Sequence, residues 1–594
     1  MKNKWFILFT FIVMIGVSTV WAQSRGRPIT LVGFGMPINA GGYGDNWHST
    51  WSADNSLIIA NNDGFGILGR SRNSIYSHCV INQLPASLSP ENPATLANTG
   101  DGRRVIHPVN ANDFTARYRT GTDATGTNWN MQNRWWYSYL SDIYEVDGVL
   151  YLIITYSYQD VTTATYLTRH PNLMRSLDGG RTWENFKGQI DTPTAPTSED
   201  SFFQHPGWDG NTQFVKYGRG GVAPNVDRAQ EYVYIFSWMT AEHQPPHGGQ
   251  VMARIKLSDL KEWKTTPDGN GDNVRNKLEY LTLGTVYTDA DARAGLDNRY
   301  WTTDWRQVKS FHGGMANCSI VYNETLGRYF SSNYQGDAFI KPIQESRLEV
   351  LQSTYPWGPW TTLIKEHVTA KTNGNLILNV FTQKYTSPDG YKMWMTVNGA
   401  HRNDSLNNEE GYILKFMPVF LTSEPAQTIM ATDASRVTAN NLSQQTHNEH
   451  EWDRWRYGEH RESSTGYGGF TADGSSLAFT VNAPVAGDYI VNFRYRTEGS
   501  PRWTNIAAYR RAKFPSVSLY VNNNKAKQLR LDRSIQWFSQ WTEMSIFLRL
   551  NAGNNTITFQ RDRGDNSNSV VISSLTYARY TGTEPLPLDN VSGR

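Results

Sequence analysis

The chain has 594 residues, with 56 Lys and Arg against 54 Asp and Glu and an aromatic content of 13%. Its length exceeds what one hydrophobic core supports, so two or more domains are expected. A near-neutral balance with no basic run argues against a nucleic-acid partner, and two cysteines, Cys79 and Cys318, rule out a disulfide framework or a zinc-type Cys/His spacing while leaving one disulfide open.

In chain order, Lys2 and Lys4 precede an apolar run from Trp5 to Val17, and Val20-Trp21-Ala22 supplies small or apolar residues before a cleavage point. This is the layout of a secretory signal peptide over residues 1–22, with an apolar core short for a bilayer span; an N-terminal anchor is the alternative. Removing Lys2 and Lys4 brings the formal charge to zero. A secreted, periplasmic or cell-surface protein with no membrane partner is expected, as a monomer.

Beyond the leader, helical periodicity is scarce. Short alternating runs recur at Gly148–Tyr156, Tyr232–Trp238, Gln250–Ile255, Ser319–Tyr322, Tyr391–Val397 and Gly411–Val419, each bounded by Gly, Asp, Asn or Pro. With 49 Gly, 25 Pro and 76 aromatic residues in 21 Trp, 31 Tyr and 24 Phe, the pattern predicts an all-β protein. Residues 27–425 read as a β-propeller of five blades with long insertions, seven being the alternative count. Ser176-Leu177-Asp178-Gly179-Gly180-Arg181-Thr182-Trp183 has the Asp-box pattern, a turn tied by its Asp and plugged by its Trp, so Asp178 reads as structural.

The first hairpin carries the chemistry. Trp47–Ala53 and Leu57–Asn61 are strand-like and joined by Asp54-Asn55-Ser56, a turn composition. Pairing symmetric about that tip places Asp45 opposite Asp63 at the open end. Two opposed carboxylates repel, and acid/base work on a glycosidic bond is one reason to keep them together; capping of turns at the strand ends is the other. His205, His312, Tyr217 and Arg219 form a rival set, suited to a polysaccharide lyase in which Arg neutralises a uronate before proton removal. His243 and His247 would need a helix to share a metal, and two prolines lie between them.

The stretches GDNWHSTWSAD with NNDGFG, RSLDGGRTW, QFVKYGRGG followed by EYVYIFSW, QVMARIKL, NETLGRYF, YPWGPWTTL and SPDGYKMWMTVNG occur in that order. In this the chain resembles the family catalogued as domain of unknown function 4185, part of which is glycoside hydrolase family 183, the endo-D-arabinanases. The resemblance implies a five-bladed propeller with Asp45 and Asp63 as the catalytic acidic pair, and Trp47 and Trp51 as motif residues that line the substrate pocket or pack the first blade. Asn55 departs from the second acidic residue of the family's turn. No cofactor is implied for catalysis.

A boundary is expected near Leu421–Thr432, followed by alternating strands that predict a β-sandwich over 428–582. Gly466-Tyr467-Gly468-Gly469-Phe470, Val485-Ala486-Gly487-Asp488-Tyr489, Trp537, Trp541 and Leu550–Asn555 resemble carbohydrate-binding modules of family 35 or family 6. That implies a jelly roll with a structural calcium, although Ala431-Thr432-Asp433-Ala434 replaces the acidic start that helps hold it. Trp503 and Trp537 are expected as stacking platforms, Arg496 as a contact for an acidic sugar, and Tyr467 as a pocket wall. The expectation is a secreted polysaccharide-degrading enzyme, a glycoside hydrolase first, with a lyase or a non-catalytic glycan-binding protein as alternatives.

Overall fold

The computed structural model describes residues 26–66, 80–84, 87, 101–104, 121–122, 128–129, 134–160, 165–190, 201–204, 208, 212–239, 249–313, 317–335, 347–368, 376–399, 413–448, 463–497, 514–531 and 541–591. The signal-peptide segment, Cys79, His205, His243, His247, Trp503 and Trp537 lie outside them. Among the described residues no helix is long and apolar enough to cross a membrane.

The principal strands of the first part are β1 (Leu31–Phe34), β2 (Tyr43–Trp51), β3 (Leu57–Gly66), β4 (Val80–Leu84), β5 (Asp101–Arg104), β6 (Arg134–Val146), β7 (Val149–Asp160), β8 (Thr165–Ser176), β9 (Gln213–Lys216), β10 (Tyr232–Met239), β11 (Gly249–Lys256), β12 (Glu279–Leu281), β13 (Asn317–Asn323), β14 (Arg328–Gln335), β15 (Arg347–Ser353), β16 (Thr361–His367), β17 (Leu376–Thr382), β18 (Lys392–Gly399) and β19 (Leu414–Thr422). They hydrogen-bond in the orders β2-β3-β4-β5, β6-β7-β8, β9-β10-β11-β12, β13-β14-β15-β16 and β17-β18-β19-β1. The last group is closed by the chain's own first strand, since Leu31–Phe34 pair with Val419–Thr422.

The opening strands of these groups meet in a closed circuit, β2 to β6 to β9 to β13 to β17 and back to β2. They run the same way: β9 pairs with β13 in parallel, and contacts from β2 to β6 advance from His48–Asp142 to Ala53–Glu145. This is a propeller-type arrangement. Buried hydroxyl pairs recur where the first and second strands of three groups meet, Ser141–Thr155 at 2.7 Å, Thr212, just ahead of β9, with Ser237 at 3.0 Å, and Ser319–Ser332 at 2.7 Å. Each satisfies two polar groups that would otherwise be buried alone.

Turn chemistry explains the tight hairpins. Asp147 and Gly148, at φ 51° and 80°, join β6 to β7, as a two-residue turn with both φ positive requires. At the Asp-box, Asp178 Oδ1 accepts from the Ser176 hydroxyl and from the Arg181 and Thr182 amides at 2.8–2.9 Å, and Oδ2 accepts from the Thr182 hydroxyl at 2.8 Å. Trp183 is buried against Ile81, Leu150 and Met174. A second turn of this kind, Ser387-Pro388-Asp389-Gly390, ties β17 to β18.

The second part contains β20 (Gln427–Met430), β21 (Val437–Asn440), β22 (Ser443–Asn448), β23 (Ser463–Gly468), β24 (Ser476–Ala483), β25 (Gly487–Thr497), β26 (Ser516–Val521), β27 (Asn524–Arg530), β28 (Thr542–Leu550), β29 (Gly553–Gln560) and β30 (Val570–Arg579). One sheet has the order β21-β24-β29-β26-β27; the facing one contains β28-β25-β30-β23-β22, with β20 also on β30. Alternation in β24, buried at Leu477, Phe479, Val481 and Ala483, supplies one wall of a core completed by Phe493, Leu519, Ile546, Phe559 and Ile572. This is sandwich architecture.

The last strand pairing of the first part ends at Thr422 and that of the second begins at Gln427. A tail after β30 packs Leu586 with Leu31, Phe420, Ile490, Phe547 and Tyr580. It therefore extends the packed structure beyond residue 582. Asp433 Oδ1 accepts from the amide and hydroxyl of Ser435, at 3.1 and 2.6 Å, and serves as a turn cap.

Candidate active site

The β2–β3 hairpin positions the predicted acidic pair. From the tip, Trp51 faces Leu57, Thr50 faces Ile58, Ser49 faces Ile59 and His48 faces Ala60, the symmetric register expected from the sequence. The register then breaks. Asn46 and Trp47 together oppose Asn61, so β2 carries one extra residue, and Asp45 pairs with Asn62 rather than with Asp63. One step further the excess reverses: Gly44 stands against Asp63, Gly64 and Phe65 before Tyr43 meets Gly66.

Asp45 thus lies between two opposed bulges and Asp63 lies inside the second. The expected direct opposition is corrected to an offset of one residue. Asn46 at φ 52° creates the first bulge, a conformation that Asn tolerates better than most residues. The side chains of Asp45 and Asp63 lie outside the described residues.

The strand directions place both aspartates at the end of the circuit where the opening strands begin. The tip is at the other end. There Asp54 Oδ1 accepts from the Ser56 amide at 2.7 Å and its Oδ2 accepts from Gln83 Nε2 at 3.0 Å. Glu145, from β6, receives the Ala53 amide at 2.7 Å and the Ser52 hydroxyl at 2.5 Å. Asp54 and Glu145 are turn-holding carboxylates.

Beneath the bulges sits a buried charged cluster that sequence reasoning did not single out. Asp142 of β6 lies 2.5 Å from Lys216 Nζ of β9 and 3.2 Å from His48 Nδ1 of β2, and all three side chains are no more than 2% exposed. Asp142 also accepts from the Ile143 and Phe214 amides at 2.8 and 2.9 Å, while Lys216 Nζ donates to the Ser49 carbonyl at 2.7 Å. One carboxylate therefore ties three consecutive opening strands. Burial pushes the Asp142 pKa up, but Lys216 and His48 overcome it and hold the group below the ordinary carboxylate range. For His48, burial outweighs the pull of Asp142 and lowers its pKa, which keeps the ring neutral.

Of the two roles expected for Trp47, pocket lining and packing of the first blade, it takes the packing role. It is 1% exposed, packs with Leu57, Ile59, Leu84 and Trp394, and donates Nε1–H to the Gly44 carbonyl at 2.9 Å. No ring face is left for a sugar. Trp51 is half-buried near the tip, where Nε1–H donates to Asn55 Oδ1 at 2.8 Å; that is the end away from Asp45.

Of the lyase set, Tyr217 and Arg219 have described side chains, and these two do not share a site; His205 lies outside the described residues. Tyr217 is buried with its hydroxyl 3.3 Å from that of Tyr329, and burial drives its pKa well above the ordinary value. Arg219 donates to the Ala53 carbonyl at the tip end. His312 pairs with Gln250 on β11 at the opposite end, its side chain outside the described residues. In the sandwich, Tyr467 is half-buried against the core and Arg496 lies opposite Val571. Among the described residues no group of three His, Cys, Asp or Glu is placed to hold a metal.

No protein-family model matches the chain. A 1,6-alpha-glucosyltransferase of Sporosarcina globispora is 26% identical over 317 residues, which is 53% of this chain and 20% of that enzyme; the chain thus spans about a fifth of that relative's length. Among solved structures, an exo-beta-1,3-galactanase from Phanerochaete chrysosporium aligns over 91% of this chain and 100% of its own, at 10% identity and a TM-score of 0.33. A family 35 carbohydrate-binding module from Clostridium thermocellum aligns over 26% of this chain and 98% of its own, at 19% identity and a TM-score of 0.20.

Proposed function

We propose that the chain is an exported polysaccharide-degrading enzyme: a five-bladed propeller with glycoside hydrolase chemistry at Asp45 and Asp63, followed by a glycan-binding sandwich. The observation that carries the reading is the pair of opposed bulges around Asp45, with Asp63 inside one of them. Bulges re-aim side chains and concentrate beside active sites. Here they break a regular hairpin at the two acidic positions and at the end where five strands begin. The similarity to a glucosyltransferase supports a carbohydrate substrate.

In this reading one carboxylic acid protonates the leaving glycosidic oxygen. The other carboxylate activates water or attacks the anomeric carbon. The two roles need separated pKa values and no metal or organic cofactor. Asp142, Lys216 and His48 hold the strand that bears Asp45. Trp503, Trp537 and Arg496 remain the proposed glycan contacts of the sandwich, and a secretory leader over 1–22 the proposed route to a periplasmic, surface or extracellular location.

The test is a panel of neutral and acidic polysaccharides incubated with the purified full chain. New reducing ends without an ultraviolet-absorbing unsaturated product are expected, and they should vanish in Asp45→Asn. An unsaturated product would identify elimination and overturn the hydrolase; binding without cleavage across the panel would leave a glycan-binding protein.

A further inference from the structure

The propeller and the sandwich share a strand pairing: β16 lies parallel to β28, with Glu366 facing Glu543. Two acidic residues thus meet across the seam, where a like-charged pair is unfavourable. Glu366 is fully buried, and its Oε2 accepts from the Ser545 hydroxyl at 2.6 Å and the Ser545 amide at 3.1 Å. Ser545 Oγ in turn accepts from the Phe34 amide at 3.2 Å. Glu366 is thereby held as an acceptor by the opposing module, and its charge pushes the Glu543 pKa up.

Glu543 has weaker support. Its Oε2 receives the Lys365 amide at 3.4 Å. Among the described residues, the charged groups facing it are Lys365 and Glu366 from β16 and Arg494, its register partner on β25. Lys365 also lies 3.8 Å from Glu349 on β15, and the Arg494 guanidinium lies 5.7 Å from the centroid of the Trp541 ring. Neither cation is devoted to Glu543.

We propose that Glu543 and Glu366 form a proton-controlled latch, in which a proton on Glu543 tightens docking of the sandwich on the propeller and its loss loosens it. Protonated, Glu543 removes the repulsion across the pairing; ionised, it sets a second negative charge against Glu366. Glu543 is half-buried by exposure, and its removal from water, countered in part by the Lys365 amide and Arg494 and reinforced by Glu366, raises its pKa to about 7. The sign follows. A carboxyl whose docked pKa is raised binds more protons docked than free, so docking is strongest below its ordinary pKa and weakens as pH rises to about 7. Elsewhere in the seam Asn492 Nδ2 donates to the Val32 carbonyl at 2.9 Å and Phe420 packs against Phe547, contacts that carry no titratable group.

The experiment is hydrogen exchange on the full chain at pH 5.5 and 8.5, corrected for intrinsic rates, following peptides that contain residues 361–367 and 542–550. Protection there should fall about tenfold or more from the acid to the alkaline condition, while a peptide from β7 stays constant. Glu543→Gln should keep the acid-level protection at both pH values. Equal protection in the wild type at both values overturns the latch, as does an equal loss in Glu543→Gln. If that variant does not fold, Glu366→Gln gives the second arm: it removes the repulsion and should shrink the pH difference, since burial of Glu543 still raises its pKa, and an undiminished difference would take Glu366 out of the latch.

Discussion

Asp142 and Lys216 form an ion pair at 2.5 Å with both side chains no more than 2% exposed, and the pair spans two neighbouring sheets of the propeller. A pair this deep is costly to desolvate, so its value lies in what happens when one partner is lost.

The first prediction follows from that asymmetry. Lys216→Met leaves Asp142 with its two amides and a neutral His48, and Asp142→Asn leaves a buried ammonium with the Ser49 carbonyl but no counter-charge. Each should cost about 3–5 kcal/mol, as breaking a buried pair does. Paired Asp142→Asn with Lys216→Met should cost less than the two single changes added together. Denaturant unfolding of the four proteins checks this, and additive losses would show that the two groups are not coupled.

The Asp-box supplies a pH prediction. Partial burial pushes the Asp178 pKa upward, but hydrogen bonds from Thr182, Ser176 and Arg181 pull it down to about 2. A depressed carboxyl stabilises the fold above its unfolded pKa, and that contribution disappears as pH falls from about 4 through 2. Asp178→Asn should therefore lower the melting temperature at neutral pH and bring the two proteins together near pH 2. A gap that persists at pH 2 would assign the loss to geometry alone.

How much of this was legible follows from what each feature asks of the chain. Hairpin register needs only a symmetric tip, and four pairs from Trp51 to His48 obey it. The bulge at Asn46 depends on a positive φ in a residue that also fits an ordinary strand, so nothing local announces it. The Asp-box was readable because all its donors lie within seven residues of Ser176. His48, Asp142 and Lys216 come from three sheets and share no local pattern; their proximity is a product of the closed circuit. Trp47 belongs to a motif and still packs the core, because inner strands of a propeller are covered on both faces.

The tail beyond β30 makes a third prediction. Asp589 Oδ2 accepts from the Phe547 amide at 2.8 Å and its Oδ1 lies 2.5 Å from Lys527 Nζ, while Leu586 is buried between the modules. Deleting residues 583–594 exposes Phe547 and Tyr580 and leaves that amide without its acceptor. Burial of Leu586 alone is worth about 1.5–3 kcal/mol. The truncated chain should melt several degrees lower, with the change centred on the sandwich in calorimetry. An unchanged profile would mean that residues 427–582 carry their own stability.

The last prediction separates the three hairpin aspartates. Asp45→Asn and Asp63→Asn should each abolish turnover, whereas Asp54→Asn should stay near wild type. Only the first two lie at the bulged end where the opening strands begin; Asp54 holds its own turn through the Ser56 amide and Gln83, and Asn retains an acceptor for the amide. Loss of a general acid or base costs about 10²–10⁴-fold in rate from proton transfer alone. Neither catalytic variant should unfold the domain, because Asn keeps the shape and removes like-charge repulsion. Turnover on the identified glycan is read beside a melting curve for each protein. Full activity in Asp45→Asn and Asp63→Asn with an intact melt would remove the carboxylate pair from the mechanism. Loss in Asp54→Asn with an intact melt would move the chemistry to the opposite end of the circuit.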